Sequence, residues 1–156
     1  MNKKDLKPAS VFYYFEEICQ VPRPSKREEK IIAYLKAFGR KHGLETKTDE
    51  VGNVLIKKPA TPGKENLKTV ILQSHIDMVC EKNSDVEHDF LIDPIDTVVD
   101  GEWLKAKGTT LGADNGIGVA TELAILAATD IEHGPLECLF TCLLYTSDAA
   151  DDLLCV

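Results

Sequence analysis

The apolar and polar positions of the chain predict two helices near the N-terminus. Residues 10–19 place apolar side chains on one side of a helix, and two prolines follow. A second helix is predicted to begin at Ser25, because Ser25 and Glu28 have capping-box spacing and would bind the free amides of its first turn. Its apolar side chains recur every three or four residues, and Gly43 ends it. These side chains are Ile31, Ile32, Leu35 and Phe38.

Short strands and one further helix follow. Strand-like segments are predicted at 44–48, 54–57, 68–77, 102–106 and 136–141. The continuous run Val70-Ile71-Leu72 is typical of a strand buried on both faces, and Trp103 is predicted to lie in the core. An apolar helix over 119–128 separates the last two strands. Strand, helix and strand in this order predict an α/β sandwich with a right-handed crossover.

Composition agrees with one soluble globular domain, and the charge is distributed unevenly. The 156 residues are 44% hydrophobic and 28% charged. Residues 1–68 contain 15 basic and 9 acidic side chains, a net charge of +6, whereas residues 69–156 contain 3 and 17, a net charge of −14. An acidic half is a poor match for a nucleic-acid backbone, so no nucleic-acid partner is expected. It suggests instead an acidic surface or a site that binds cations.

Nothing in the sequence predicts export or membrane insertion. The N-terminal apolar run is too short for a signal peptide, and no stretch approaches the roughly 18 apolar residues of a membrane helix. Five cysteines without a CxxC pair favour a reducing, cytoplasmic location, with no membrane partner. Cys138 and Cys142 could form half of a metal site. Residues four apart in a strand share a face, however, which favours a buried, apolar role for both.

His75 and Asp77 form the first candidate site, at the end of a predicted strand. Residues two apart project to the same face of a strand, and open α/β sheets place their sites at strand ends. A neutral imidazole is a good zinc ligand when an acceptor such as Asp77 holds its second nitrogen. Taken alone, a His-x-Asp motif is more often a histidine that only hydrogen-bonds a loop, and that alternative stays open.

Asp114 is the second candidate, in the glycine-rich turn LGADNGIG between a strand and a helix. A carboxylate at such a turn can direct both oxygens into a cleft and bridge two cations. The alternative is that Asp114 or Asn115 caps the helix. A phosphate-binding loop is disfavoured, because Gly112, Gly116 and Gly118 lack its spacing and Asp114 would repel phosphate.

Longer motifs surround these three side chains. The stretches LQSHIDMVCEKN, HDFLIDPI and DGEWLKAKGTTLGADNGIGVA resemble the aminoacyl-histidine (Xaa-His) dipeptidases, also called cytosol non-specific dipeptidases, of the di-zinc metallopeptidase family. The likeness runs from about residue 5 to Thr141. It implies the N-terminal part of a zinc-peptidase-like α/β/α sandwich with a mixed, mainly parallel sheet. It also implies a dipeptide substrate and, for the complete enzyme, a homodimer.

The resemblance further implies roles for the candidate residues. His75 would bind one of two zinc ions (Zn2+), Asp114 would bridge both, and Asp77 would act in the catalytic site by orienting His75. The peptide bond after the bridging aspartate is often cis in this family. In such enzymes the metals activate a water that attacks the peptide carbonyl, and a glutamate acts as general base.

The end of the chain departs from the family pattern. After a strand like 136–141 the family continues with two adjacent glutamates, the general base and a zinc ligand, where this chain has Leu144 and Tyr145. The remaining ligands, an aspartate and a histidine, would lie beyond residue 156. We therefore interpret residues 1–142 as an incomplete N-terminal portion of the catalytic domain, and residues 143–156 as a non-native tail.

Three functions are consistent with these residues. The first is a zinc dipeptidase, of which this piece alone is expected to be inactive. The second is a short non-catalytic protein that uses His75 and Asp114 for weak metal binding or for an interaction. The third is an amidohydrolase (deacylase) of the same family, which would share the metal residues. The narrower motifs favour the dipeptidase.

Overall fold

Three α-helices, a four-stranded sheet and a two-stranded ribbon make up the computed structural model, which describes residues 3–142. The predicted tail, residues 143–156, lies outside the described residues. In chain order the elements are a 3-10 helix at Lys3–Asp5, α1 (Ala9–Cys19), α2 (Glu29–Lys41), β1 (Glu45–Thr48), β2 (Val54–Lys58), β3 (Val70–His75), β4 (Thr97–Asp100), β5 (Trp103–Ala106), α3 (Ala113–Ala127) and β6 (Leu136–Thr141).

The main sheet is mixed, as expected, and its strand order is β1-β2-β6-β3. Strands β3 and β6 are parallel, with Val70 opposite Leu136 and His75 opposite Thr141. The other two pairings, β1 with β2 and β2 with β6, are antiparallel, so the parallel part is smaller within residues 3–142 than predicted. The physical reason is chain connectivity. A tight turn joins β1 to β2 as a hairpin, whereas the crossover through α3 is long enough to return β6 parallel to β3.

One apolar core joins the helices to the sheet. Its largest fully buried side chains come from all three helices, from β2 and β6, and from the residue after β3: Phe15, Ile18, Ile31, Leu35, Val54, Ile56, Ile76, Val119, Leu123 and Phe140. No helix within residues 3–142 is both long and apolar enough to cross a membrane. The apolar periodicity of the sequence identified the core face of α2 correctly, since Ile31, Leu35 and Phe38 are buried.

Helix α2 begins later than the capping box predicts. Its first residue is Glu29, and the residue before the helix is Glu28, which makes no side-chain capping bond. Lys26 has a φ of 70°, which takes the chain out of a helical path between Ser25 and the helix. The prediction that Ser25 starts the helix is therefore wrong, and its hydroxyl contacts a different part of the molecule.

Two apolar side chains are more exposed than predicted. Trp103 is 70% exposed, because the β4–β5 ribbon is separate from the main sheet and Trp103 follows its turn directly. Strand β3 begins with Val70 and Ile71, which are 50% and 63% exposed. Within residues 3–142 this strand pairs only with β6, so it is an edge strand there, and α3 packs against it on one side. The prediction of burial on both faces is wrong for the first half of β3.

The exposed start of β3 leads to a prediction about solubility. Replacing Ile71 by lysine is expected to raise the soluble fraction of the expressed chain, because a charged side chain on an edge strand opposes edge-to-edge pairing. Sedimentation of lysates and light scattering of the purified protein measure the effect. Thr48→Lys is the matched control, since Thr48 is an exposed polar residue at the other edge of the sheet. An equal gain in both variants would mean that added charge alone is responsible.

Candidate metal centre

The end of β3 places His75 beside Asp77, as predicted. Both residues are buried, and His75 Nδ1 lies 3.0 Å from Asp77 Oδ1. The strand ends at His75, but the Ile76 amide still donates to the Thr141 carbonyl at 2.9 Å, so the backbone beyond the strand remains held against β6. The parallel pairing of β3 and β6 therefore determines where this His-x-Asp motif stands.

The start of α3 brings Asp114 to the other side of the imidazole. His75 Nε2 lies 3.1 Å from Asp114 Oδ1. The side chain of Asp114 is 95% exposed, whereas that of His75 is 9% exposed, so the carboxylate lies at the surface over a buried ring. The peptide bond between Asp114 and Asn115 is cis, as the resemblance implies.

The helix-cap alternative is resolved by Asn115. Asp114 and Asn115 have non-helical φ and ψ angles inside α3, and the Asn115 Oδ1 accepts the Gly118 amide at 3.2 Å, the bond expected of a residue that caps the helical turn after this break. Asp114 makes its side-chain contact with His75 instead. Of these two neighbouring polar residues, Asn115 therefore caps the helix, whereas the carboxylate of Asp114 faces the His75 imidazole.

These groups have the chemistry of part of a zinc site. When Nδ1–H of an imidazole donates to a carboxylate such as Asp77, the lone pair of Nε2 is available to a metal, and an exposed carboxylate oxygen is a second donor that zinc accepts. A catalytic zinc ordinarily has three protein ligands. Within residues 3–142 no group of three or more His, Cys, Asp and Glu side chains could hold a metal ion. The described residues therefore fit a fraction of the ligand set.

The cysteines have the apolar role predicted for them. Cys138 and Cys142 are both buried, and burial raises the pKa of each thiol to about 12. Glu28 and Asp77 act in the same direction on Cys142. Both residues therefore lie in the buried surroundings that their spacing of four residues predicts.

Sequence reasoning missed that the segment Arg23–Ser25, between α1 and α2, contacts the residues of this centre. The Ser25 hydroxyl donates to Asp77 Oδ2 at 2.6 Å. The buried Arg23 guanidinium donates to the Gly112 carbonyl at 2.7 Å and to the Ile76 carbonyl at 3.3 Å. The available signal was the pair of prolines around Arg23, which keeps this segment extended and outside both helices.

Glu122 was also missed, because the acidic second half of the chain predicts an acidic surface and gives no sign of a buried carboxylate. It lies on α3 and is buried, and its Oε2 has no hydrogen-bond partner among the described residues. Burial raises its pKa to about 8, and the nearby Ser74 hydroxyl lowers it by a smaller amount. Its position on the apolar helical face, next to Leu123, was the signal that could have found it.

The fold is similar to those of solved peptidase structures. No family model matches the chain. A tripeptidase from Staphylococcus aureus matches with a TM-score of 0.67 at 24% identity, over 90% of this chain and 36% of that one. Aminopeptidase PepT from Bacillus cereus matches with a TM-score of 0.69 at 23% identity, over 90% and 36%. At these identities the similarity concerns the fold.

A narrower group shares the sequence as well. The aminoacylhistidine dipeptidase from Vibrio alginolyticus has a TM-score of 0.89 and 52% identity, over 92% of this chain and 29% of that one. The cytosol non-specific dipeptidase of Escherichia coli K12 is 52% identical over 136 residues, which is 87% of this chain and 28% of the relative. The resemblance to these dipeptidases is thereby confirmed, and the chain spans less than a third of their length.

Proposed function

We propose that the chain is part of a metal-dependent dipeptidase that hydrolyses Xaa-His and related dipeptides. His75 is assigned as a ligand of one zinc ion, Asp114 as a ligand bridging two, and Asp77 as the residue that orients His75. The observation that carries this proposal is the position of the His75 imidazole between two carboxylates, with Asp77 Oδ1 at Nδ1 and Asp114 Oδ1 at Nε2. The names of the relatives at 52% identity support the substrate class.

In this proposal His75, Asp77 and Asp114 have different roles. Asp77 holds the proton on Nδ1 of His75, so that Nε2 can bind the metal. The exposed carboxylate of Asp114 has two oxygens and can therefore serve two cations. Bound zinc would supply Lewis acidity, activating a water and polarising the peptide carbonyl. The general base and the remaining ligands are expected outside residues 1–142, as the resemblance implies.

The same proposal covers the organisation of the protein. Residues 1–142 are assigned to the N-terminal portion of the catalytic domain, and residues 143–156 to a non-native tail that stands where the family has its glutamate pair. The chain alone is then inactive. By analogy with the cytosol non-specific dipeptidase, the complete enzyme is proposed to be cytoplasmic, and the family resemblance suggests a homodimer.

A zinc titration tests the metal assignment. Isothermal titration of the 156-residue chain with zinc chloride is expected to show weak binding, since only part of the ligand set is present. His75→Ala and Asp114→Ala are each expected to weaken zinc binding about tenfold or more, because each removes a proposed ligand and even the loss of a residue that only supports a ligand costs roughly 10- to 100-fold. His133→Ala is the control, because the His133 ring contacts the Gly134 carbonyl, away from this centre. Equal affinities in all four proteins would contradict the assignment.

Assays of hydrolysis separate the proposed function from its alternatives. The 156-residue chain is expected not to hydrolyse a Xaa-His dipeptide, whereas a longer reading frame with two glutamates soon after Thr141 is expected to do so. Hydrolysis by the short chain that is lost in His75→Ala would contradict the inactivity of this piece. Hydrolysis of N-acyl amino acids alone by the longer frame would assign a deacylase.

A further inference from the structure

We propose that the segment Arg23–Ser25 positions the metal centre, with Ser25 orienting His75 through Asp77 and Arg23 connecting the end of β3 to the start of α3, which carry the proposed ligands. This inference rests on the proposed function of His75 and Asp114 and adds two positioning residues to it. Neither residue contacts the candidate metal position itself. Both contact the groups that determine how His75 and Asp114 face each other.

The first step is the hydrogen-bond chain from Ser25 to His75. The Ser25 hydroxyl lies 2.6 Å from Asp77 Oδ2, a short bond typical of a hydroxyl donating to a carboxylate. The other oxygen of the same carboxylate, Oδ1, faces His75 Nδ1 at 3.0 Å. Because the two oxygens belong to one planar group, fixing Oδ2 also fixes the direction of Oδ1. Ser25 thereby acts on the imidazole without contacting it.

The backbone of the segment reinforces this arrangement. The Ser25 amide donates to the Met78 carbonyl at 3.2 Å, and the Met78 amide donates to the Arg23 carbonyl at 3.1 Å. Pro24 and Met78 form a parallel bridge between these two bonds. The segment therefore lies along the chain that follows His75 as a short added strand, and Ser25 cannot shift relative to Asp77 without breaking these bonds.

The second step is the connection that Arg23 makes between two loops. Its Nη1 donates to the carbonyl of Ile76, next to Asp77, and its Nη2 donates to the carbonyl of Gly112, two residues before Asp114. The side chain is almost fully buried, so these bonds are shielded from water. A guanidinium can make both bonds at once because its donors form a rigid planar fork.

The glycine-rich turn has room for this guanidinium. A Cβ added at Gly112 would lie 2.6 Å from Arg23 Nη2, and one added at Gly116 would lie 2.7 Å from the same atom. Both glycines of the turn therefore leave the space that the Arg23 side chain occupies. The segment Gly112–Gly116 at the start of α3 and the segment Arg23–Ser25 before α2 are therefore complementary in shape as well as in hydrogen bonding.

The test for Ser25 uses the tautomer of His75 in the metal-free chain. Carbon-13 chemical shifts of the His75 ring at about pH 9, where histidines are ordinarily neutral, are expected to show the Nδ1–H form in the wild-type chain. Ser25→Ala is expected to increase the fraction of the Nε2–H form, and Ser25→Thr, which keeps the hydroxyl, to restore the wild-type fraction. Ser10→Ala is the matched control at an exposed position of α1.

Zinc affinity provides the second measurement. Ser25→Ala is expected to weaken binding of zinc chloride roughly three- to tenfold. This loss is smaller than the roughly 10- to 100-fold effect of removing a residue that hydrogen-bonds a metal ligand directly. The loss is expected to be much smaller in an Asp77→Asn background, because Ser25 acts through that carboxylate. Arg23→Lys keeps the charge but cannot bridge both loops, so it is expected to weaken zinc binding while the Nδ1–H tautomer of His75 is retained.

The outcomes distinguish this proposal from the proposed function. A wild-type chain that binds no zinc contradicts the metal assignment, whereas the tautomer measurement still decides the role of Ser25. An unchanged tautomer in Ser25→Ala, with an unchanged melting temperature, overturns the role of Ser25. A zinc affinity that is unchanged in Arg23→Lys overturns the role of Arg23. Equal losses of affinity with and without the Asp77 carboxylate would show that Ser25 does not act through it.

Discussion

Replacing Glu122 by glutamine is expected to raise the free energy of unfolding at pH 8 by a few kcal/mol and to leave it nearly unchanged below about pH 4.5. Burial raises the pKa of Glu122 to about 8 in the native state, from an ordinary value of 4.5. The native state therefore binds this proton more tightly than the unfolded chain does. Between these two pH values, ionisation of Glu122 in the unfolded chain lowers the free energy of unfolding by up to about 1.4 kcal/mol per pH unit.

The sign of this dependence follows from the numbers of bound protons. Below about pH 4.5 both states hold the proton, so Glu122 contributes no pH dependence. As the pH rises toward about 8, the unfolded chain releases the proton while the native state keeps it, and stability falls. Above that pH both states are ionised and the loss is complete. Glutamine has the same shape and no ionisation, so this part of the pH dependence disappears.

Urea unfolding at a series of pH values measures this effect. The difference between wild type and Glu122→Gln is expected to grow steadily across the interval and then level off. Glu132→Gln is the matched control, because the Glu132 side chain is 81% exposed and its removal changes the same formal charge. A constant difference at every pH would show that Glu122 does not ionise differently in the native and unfolded states.

Replacing Gly112 by alanine is expected to destabilise the chain by about 2–4 kcal/mol, through backbone conformation and through crowding. Gly112 has a φ of 67° and a ψ of 33°, a left-handed conformation that costs an alanine about 1 kcal/mol or more. The new Cβ would also lie 2.6 Å from Arg23 Nη2 and 2.7 Å from Met78 Sδ. The guanidinium has little freedom to move away, because it is buried and donates to the carbonyl of Gly112 itself.

Gly43→Ala separates the two contributions. Gly43 has a φ of 64°, and a Cβ added there meets no atom within 4 Å. This variant therefore includes the conformational cost without the crowding. Thermal and urea unfolding of both variants are expected to show the larger loss for Gly112→Ala. Equal losses would mean that the Arg23 side chain can rearrange, which would also weaken its assignment as a connection between the two loops.

The local elements of this protein were largely predictable, because they depend on patterns within short segments. The apolar positions of α2 identified its buried face, and strands were correctly predicted at the run Val70–Leu72 and over residues 136–141. His75 and Asp77 were expected on one face, since two residues of the same strand end have few ways to be arranged. Asp114 was found through its glycine-rich turn and through the resemblance to a family.

The errors concern local signals that compete with tertiary contacts. Ser25 and Glu28 have the spacing of a capping box, but the Ser25 hydroxyl makes a short bond to a buried carboxylate, which a local cap did not outweigh. The apolar start of β3 predicts burial, but burial depends on which elements lie on either side of a strand. Only β6 pairs with β3 within the described residues.

The sequence alone predicted the three helices and five of the six strands, with β4 (Thr97–Asp100) missed, and it proposed the three side chains of the candidate metal centre. Tertiary structure was needed to show that His75 lies between Asp77 and Asp114, that Arg23 and Ser25 support them, and that a carboxylate is buried on α3. The physical reason is that periodicity and capping act over a few residues. Distances between separate segments, and the solvent exposure of each side chain, are set by the packing of the whole sheet and its helices.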